Sequence, residues 1–153
     1  MTPSMLRQTR FERPNPPAFV HQFADVDETL VFNYQIQPNA QQVGLQQPVS
    51  MEGDFYLFAW QASSVIQVRP DNQENAGNVS IRLADDTGYR LSDDYIGMNF
   101  LTSIAGNPWP YTLRLPHMFR AGTKIWIDMQ ELSGFLSNVQ VCFRGQYRFR
   151  GGR

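Results

Sequence analysis

The sequence predicts an all-β fold: a single antiparallel β-sandwich of jelly-roll or Greek-key type, carrying an extended N-terminal arm. Three observations lead there. From Glu28 onward, apolar residues recur at every second position, the period that sends successive side chains to opposite faces of a strand. Turn signals separate these runs at short intervals, and no stretch shows the amphipathic period of a helix of useful length. The chain has 153 residues, 42% hydrophobic and 18% charged, which suits one domain with a sizeable core.

Residues 1–24 read as the arm and residues 25–153 as the sandwich domain. The arm holds Pro3, Pro14, Pro16 and Pro17, and proline fixes φ and removes a backbone donor, so an extended conformation is expected. Leu6, Phe11, Phe19, Val20 and Phe23 give it apolar anchors for docking, on its own domain or on a neighbour. Next comes a half-buried strand in which Leu30, Phe32, Tyr34 and Ile36 share one face, with Asn33 and Gln35 on the other. The glutamine-rich residues 41–47 read as a loop or edge strand. Phe55, Leu57 and Ala59 then alternate with Tyr56, Phe58 and Trp60. Both faces are apolar there, which implies a strand covered on both sides or lying at an interface.

Further runs are expected at 65–69, at Val79, Ile81 and Leu83, at Tyr111, Leu113 and Leu115, and at Ile125, Ile127 and Met129. The last strand carries Val139, Val141 and Phe143 and continues past Gly145 into Tyr147 and Phe149. Turns are expected at Arg69-Pro70-Asp71-Asn72, Asp85-Asp86-Thr87-Gly88, Gly106-Asn107-Pro108, Arg120-Ala121-Gly122-Thr123 and Leu132-Ser133-Gly134. About eight strands of this kind suit a jelly roll or a related Greek key.

Candidate chemistry is sparse. His21 closes the arm and His117 follows Pro116 among apolar residues, so both read as structural or interface histidines. Neither a His-x-x-x-His nor a Cys-x-x-Cys spacing is present, and no metal is expected. The carboxylate clusters Asp25/Asp27/Glu28, Asp85/Asp86 and Asp93/Asp94 lie at segment boundaries, where aspartate bonds local amides. Turn chemistry is therefore their expected role, ahead of a paired-acid glycosidase or a hard-cation site. Cys142, the single cysteine, alternates within an apolar pattern and reads as a buried thiol. No Gly-x-Ser-x-Gly frame surrounds any serine, and Gly151-Gly152 precedes no helix that would make a phosphate loop. No catalytic residue and no cofactor is expected.

Charge points toward assembly. The formal net charge is −1 with a pI near 6.1, so nucleic acid is not expected as a partner. No segment approaches the length of apolar chain that spans a bilayer, nor does the N-terminus have a signal-type apolar run, so a soluble setting is expected. The balance is −8 over residues 25–94, +2 over residues 1–24 and +5 over residues 95–153. Basic ends and an acidic middle let the termini of one copy meet the surface of another, or cancel within one chain. Twelve of the thirteen basic residues are arginine, a residue enriched at interfaces where lysine is depleted. The residues expected to contact other proteins are Arg7, Arg10, Phe11 and Arg13 in the arm, Tyr56, Phe58 and Trp60 on the doubly apolar strand, Trp126, and Arg144, Arg148 and Arg150 near the C-terminus. Trp126 points opposite to Ile125 and Ile127, hence outward, as a ligand platform or a subunit interface.

One ordered set of features carries a resemblance: Asp54-Phe55-Tyr56-Leu57, a polar strand ending in Asp85-Asp86-Thr87-Gly88, a loop rich in Gly, Asn and Pro, Pro116-His117-Met118-Phe119-Arg120-Ala121-Gly122-Thr123-Lys124-Ile125, Leu132-Ser133-Gly134 and Asn138-Val139-Gln140-Val141-Cys142-Phe143-Arg144-Gly145. In rhythm this resembles phage virion proteins of the decoration or cement type. The resemblance implies a small jelly-roll sandwich on the capsid exterior, assembled in the host cytoplasm. Its expected partners are the major capsid protein and copies of itself, as a dimer or trimer, and it implies no catalytic residues. An arm of about twenty extended residues would reach on the order of 60–70 Å, enough to cross a neighbouring subunit. The alternatives are a tail, collar or baseplate adaptor, or a carbohydrate-binding module stacking sugars on Trp126, Trp109 or Tyr111.

Overall fold

Strict alternation shapes the first strand, β1 (Asp25–Ile36), whose Leu30, Phe32, Tyr34 and Ile36 are more covered than the intervening Thr29, Val31, Asn33 and Gln35. The computed structural model describes residues 25–67, 77–101 and 111–149. β1 ends in a tight turn. Pro38 presets one central φ, and Asn39 takes the left-handed conformation, with φ 53°, that asparagine tolerates in a type II turn. The Ala40 N–H closes the turn on the Gln37 carbonyl at 3.1 Å. The glutamine-rich stretch follows as β2 (Gln41–Pro48), an edge strand.

The remaining elements are β3 (Gly53–Ile66), β4 (Val79–Ala84), β5 (Ile96–Gly97), the single-turn α1 (Met98–Leu101), β6 (Tyr111–Phe119), β7 (Lys124–Glu131) and β8 (Ser137–Phe149). Among the described residues they form two four-stranded antiparallel sheets, ordered β1-β8-β3-β6 and β2-β7-β4-β5. The chain passes from sheet to sheet at almost every connection, so non-adjacent strands become neighbours. That order is the doubly wound Greek key of a jelly roll. Between the sheets, Phe55, Leu57, Trp60, Phe119 and Phe143 of the first meet Ile81, Leu83, Ile125, Ile127 and Met129 of the second, all at most 1% exposed.

Trp60 departs from the expected outward position. Along β3 the register with β8 runs Leu57 to Gly145 and then Ala59 to Arg144, leaving Phe58 as an extra residue. A bulge of this kind reverses the parity of every later side chain. Before it Phe55 and Leu57 point inward; after it Trp60, Ala62, Ser64 and Ile66 do, and Trp60 is 1% exposed. Trp60 therefore packs the core of this chain, against Tyr111 at 5.8 Å between ring centroids, and is not a surface anchor.

Three further expectations change. Val65 and Ile66 belong to the end of β3, so no separate strand begins at 65 among the described residues. The two-residue β5 was not foreseen. Cys142 lies between the inward-facing Val141 and Phe143 and so points to the outer side, half-buried, where desolvation pushes its thiol pKa up.

One end of the sandwich is tied by Glu131, 3% exposed at the end of β7. Its carboxylate accepts the Asn39, Ser133 and Gly134 amides at 2.8, 2.7 and 2.9 Å, and the Ser133 hydroxyl as well. The β1–β2 turn and the β7–β8 turn are thus held by one side chain. Burial alone would raise its pKa, but these hydrogen bonds outweigh burial and hold it below the ordinary carboxylate value. Because the folded value is depressed, the stability it contributes is present above the unfolded carboxyl pKa of about 4.3 and fades as pH falls through the folded value. Glu131→Gln is expected to cost about 1–3 kcal/mol at neutral pH, with the difference from wild type shrinking in acid. Thermal melts at pH 7 and pH 3 check this; an equal deficit at both would contradict it.

Candidate interaction surfaces

The bulge that turns Trp60 inward has the opposite effect on Phe58, which it leaves on the outer side of the first sheet. There Phe58 lines a cleft of about 340 Å³ with Asp27, Glu28, Thr29, Ala59, Arg144 and Gly145. Tyr56 stands two residues away. The Arg148 guanidinium lies 4.6 Å from the Tyr56 ring centroid, stacked on its face, and Nη1 donates to the Tyr56 hydroxyl at 3.3 Å. Tyr56, Phe58, Arg144 and Arg148 are therefore neighbours on one face, drawn from two adjacent strands. Arg7, Arg10, Phe11, Arg13 and Arg150 lie outside the described residues, as do His21 and Trp109.

Toward the other end of this face the side chains become amides. Asn33, Gln35, Ser63, Asn138 and Gln140 line a shallow groove of about 520 Å³ together with Val65. Many of these groups already bond laterally across strands. Gln140 donates to Asn33 at 3.0 Å and Gln35 to Asn138 at 3.2 Å. A shallow face whose amides bond one another across strands favours broad docking over capture of one small polar molecule.

Trp126 does face outward, on the second sheet, but it is held. Its Nε1–H donates to Asp86 at 2.5 Å, and the Lys124 ammonium sits 5.8 Å from its ring centroid. A side chain at Gly44 would start 3.9 Å from the ring. Beside it, Asp128 accepts the Gly44 amide at 2.9 Å and pairs with Arg82 at 2.9 Å. That hydrogen bond raises the pKa of Arg82, which also lies 4.6 Å from the Tyr95 ring centroid. Trp126 is thus embedded in a network within its own chain.

Comparison with protein-family models, with curated proteins and with solved structures gives no match. The geometry alone must then weigh the remaining candidate.

That candidate surrounds His117 on β6. Between His117, opposite Leu57, and Thr112, opposite Ala59, the β6 ladder breaks, and residues 113–116 make an excursion from the sheet edge. A cleft of about 260 Å³ forms there, lined by Tyr89, Leu91, Leu113, Arg114, Leu115 and His117. His117 Nε2 lies 3.0 Å from Asp85 Oδ2, and its ring stacks on Tyr89 at 5.4 Å and meets the Phe119 ring edge-on at 5.0 Å. The other Asp85 oxygen accepts the Thr87 amide, the Thr87 hydroxyl and the Tyr89 amide at 2.8, 2.6 and 3.0 Å. Burial pushes the Asp85 pKa up, but the bonds from Thr87, Tyr89 and His117 outweigh it and leave the value lowered. Asp85 is thus a turn aspartate, as its sequence context predicts, whose free oxygen clasps the second sheet to the edge of the first.

Sequence reasoning missed the His117 partner because 32 residues separate it from Asp85 and no local pattern marks a clasp between sheets. No group of three or more metal-ligating side chains occurs among the described residues. Asp85→Ala is expected to lower hydrogen-exchange protection of the Thr87 and Tyr89 amides by about tenfold, the equivalent of one hydrogen bond, and to leave β3 and β8 unchanged. Equal loss at all these amides would show that Asp85 supports the whole fold instead.

Proposed function

We propose that this protein is a non-catalytic structural subunit, and specifically a decoration or cement protein that binds the outside of a phage head and bridges its shell subunits. One observation carries the assembly part of the reading: Tyr56, Phe58, Arg144 and Arg148, nominated separately as contact residues, stand together on the outer face of the first sheet. Tyrosine and arginine are enriched among residues that dominate binding energy, and a stacked Arg148–Tyr56 pair is preorganised for that use. A jelly roll is also an architecture that capsid proteins use, although lectins and cupins share it, so the fold supports the reading only as analogy. The head location rests on the resemblance of sequence rhythm.

A glycan-binding role on Trp126 gains little from the geometry, because the indole N–H and ring are already engaged by Asp86 and Lys124. An adaptor in the tail, collar or baseplate would use the same sheet face, and stoichiometry separates it from cement. Counted against the major capsid protein in purified particles, the chain is expected in hundreds of copies; six or twelve would remove the head assignment. Tyr56→Ala combined with Arg144→Ala is expected to leave the circular dichroism spectrum unchanged and to weaken particle binding at least tenfold. Wild-type binding by that variant would exclude this face.

A further inference from the structure

A jelly roll leaves four strand edges open, and this one treats them unequally. β2 breaks register between Gln42 and Leu45 and ends in Pro48; β6 breaks register and carries Pro116; β5 has only two residues. Short strands, prolines and bulges are the devices by which natural sheets prevent edge-to-edge pairing. β1 has none of these three, and its edge charges, Asp25, Asp27 and Glu28, are confined to its first four residues. It runs twelve residues in unbroken register with β8, contains neither proline nor lysine, and no described strand pairs with its outer edge. Its flank is also incompletely closed. Leu30, Phe32 and Tyr34 pack against the core yet remain half-exposed, while on the next edge strand Val43 is 58% exposed.

We infer that β1 pairs with β1 of a second copy, antiparallel across a two-fold axis at Val31, joining the two first sheets into one. The sequence of β1 is self-complementary in that orientation. Val31, 46% exposed, would cover its own copy; Leu30 would face Phe32, and Thr29 would face Asn33. The charges select the same arrangement. Asp27 and Glu28 lie in the first half of the strand, so antiparallel pairing sets them opposite Gln35 and Tyr34, whereas parallel pairing in register would set them beside each other. A two-fold interface that uses one patch twice is the commonest route to a homodimer.

The inference deepens the assembly reading by naming the surface on which copies meet, and it rests on that reading only for its biological use. Sedimentation of the full chain is expected to give twice the 17.6 kDa single-chain mass. Val31→Lys and Val31→Glu should each shift it to the single-chain mass with the circular dichroism spectrum unchanged, and mixing the two should restore the dimer. A wild-type monomer, or a dimer that Val31→Lys leaves at full strength, overturns the proposal; the second result would assign the dimer contact to another segment, such as the arm. Should the charged variants fail to fold, Val31→Cys with Cys142→Ser gives an independent answer, the second change being needed because Cys142 is the cross-strand partner of Val31. Oxidation should then link two chains, and a product that stays monomeric sinks the idea. Particle binding by a monomeric Val31→Lys chain would leave the cement reading standing while showing that it does not depend on this dimer.

Discussion

The first sheet depends on the last strand of the chain lying between two early ones. β8 pairs with β1 through all twelve of that strand's residues and with β3 from Ile66 to Gly53, so Asp25 finds its partner at Arg148. No neighbour in sequence can substitute for these contacts, and β1 has no other described partner. Non-local pairing of this kind places folding among the slower topologies, because the chain must close long loops before the ladder rewards it. It also requires close approach. At Gly145 a Cβ would run into the Tyr56 carbonyl and the Phe55 ring, so glycine is needed where β8 passes β3.

The exposed chemistry follows from that constraint. Beside Gly145, β3 accommodates the passing strand with one extra residue, and the resulting bulge sends Trp60 into the core and leaves Phe58 outside. The Phe58 cleft and the Arg148–Tyr56 stack are therefore consequences of how the first sheet closes. Several carboxylates are engaged within one molecule: Asp128 pairs with Arg82, Asp85 bonds His117, and Asp27 accepts from Gln146. Arg144 remains exposed on the face that carries the aromatic residues.

Most of the sandwich was legible in the sequence because period-two alternation reports directly on which face is buried. β1, β4, β7 and β8 follow it, and the Arg120 and Asp85 turns fall where Gly122 and Gly88 supply positive φ. Trp60 was misread because a bulge changes parity without changing composition. Cys142 was misread because one residue of a strand takes the outer side even when its neighbours are apolar. The Glu131 clamp and the Asp85–His117 clasp join residues distant in sequence, so no window contains both partners. Tyr56, Phe58, Arg144 and Arg148 could be nominated one by one but not as a surface, since β3 and β8 become neighbours only in the folded chain.

The central claim is that the outer face of the first sheet meets a protein partner. Oxidative footprinting of the protein, free and mixed with the phage heads it is proposed to bind, tests it most directly, because Tyr56 and Phe58 lie on one sheet and Trp126 on the other. Binding is expected to protect Tyr56 and Phe58 and to leave Trp126 at its free rate. Protection of Trp126 with Tyr56 and Phe58 unchanged would contradict the account.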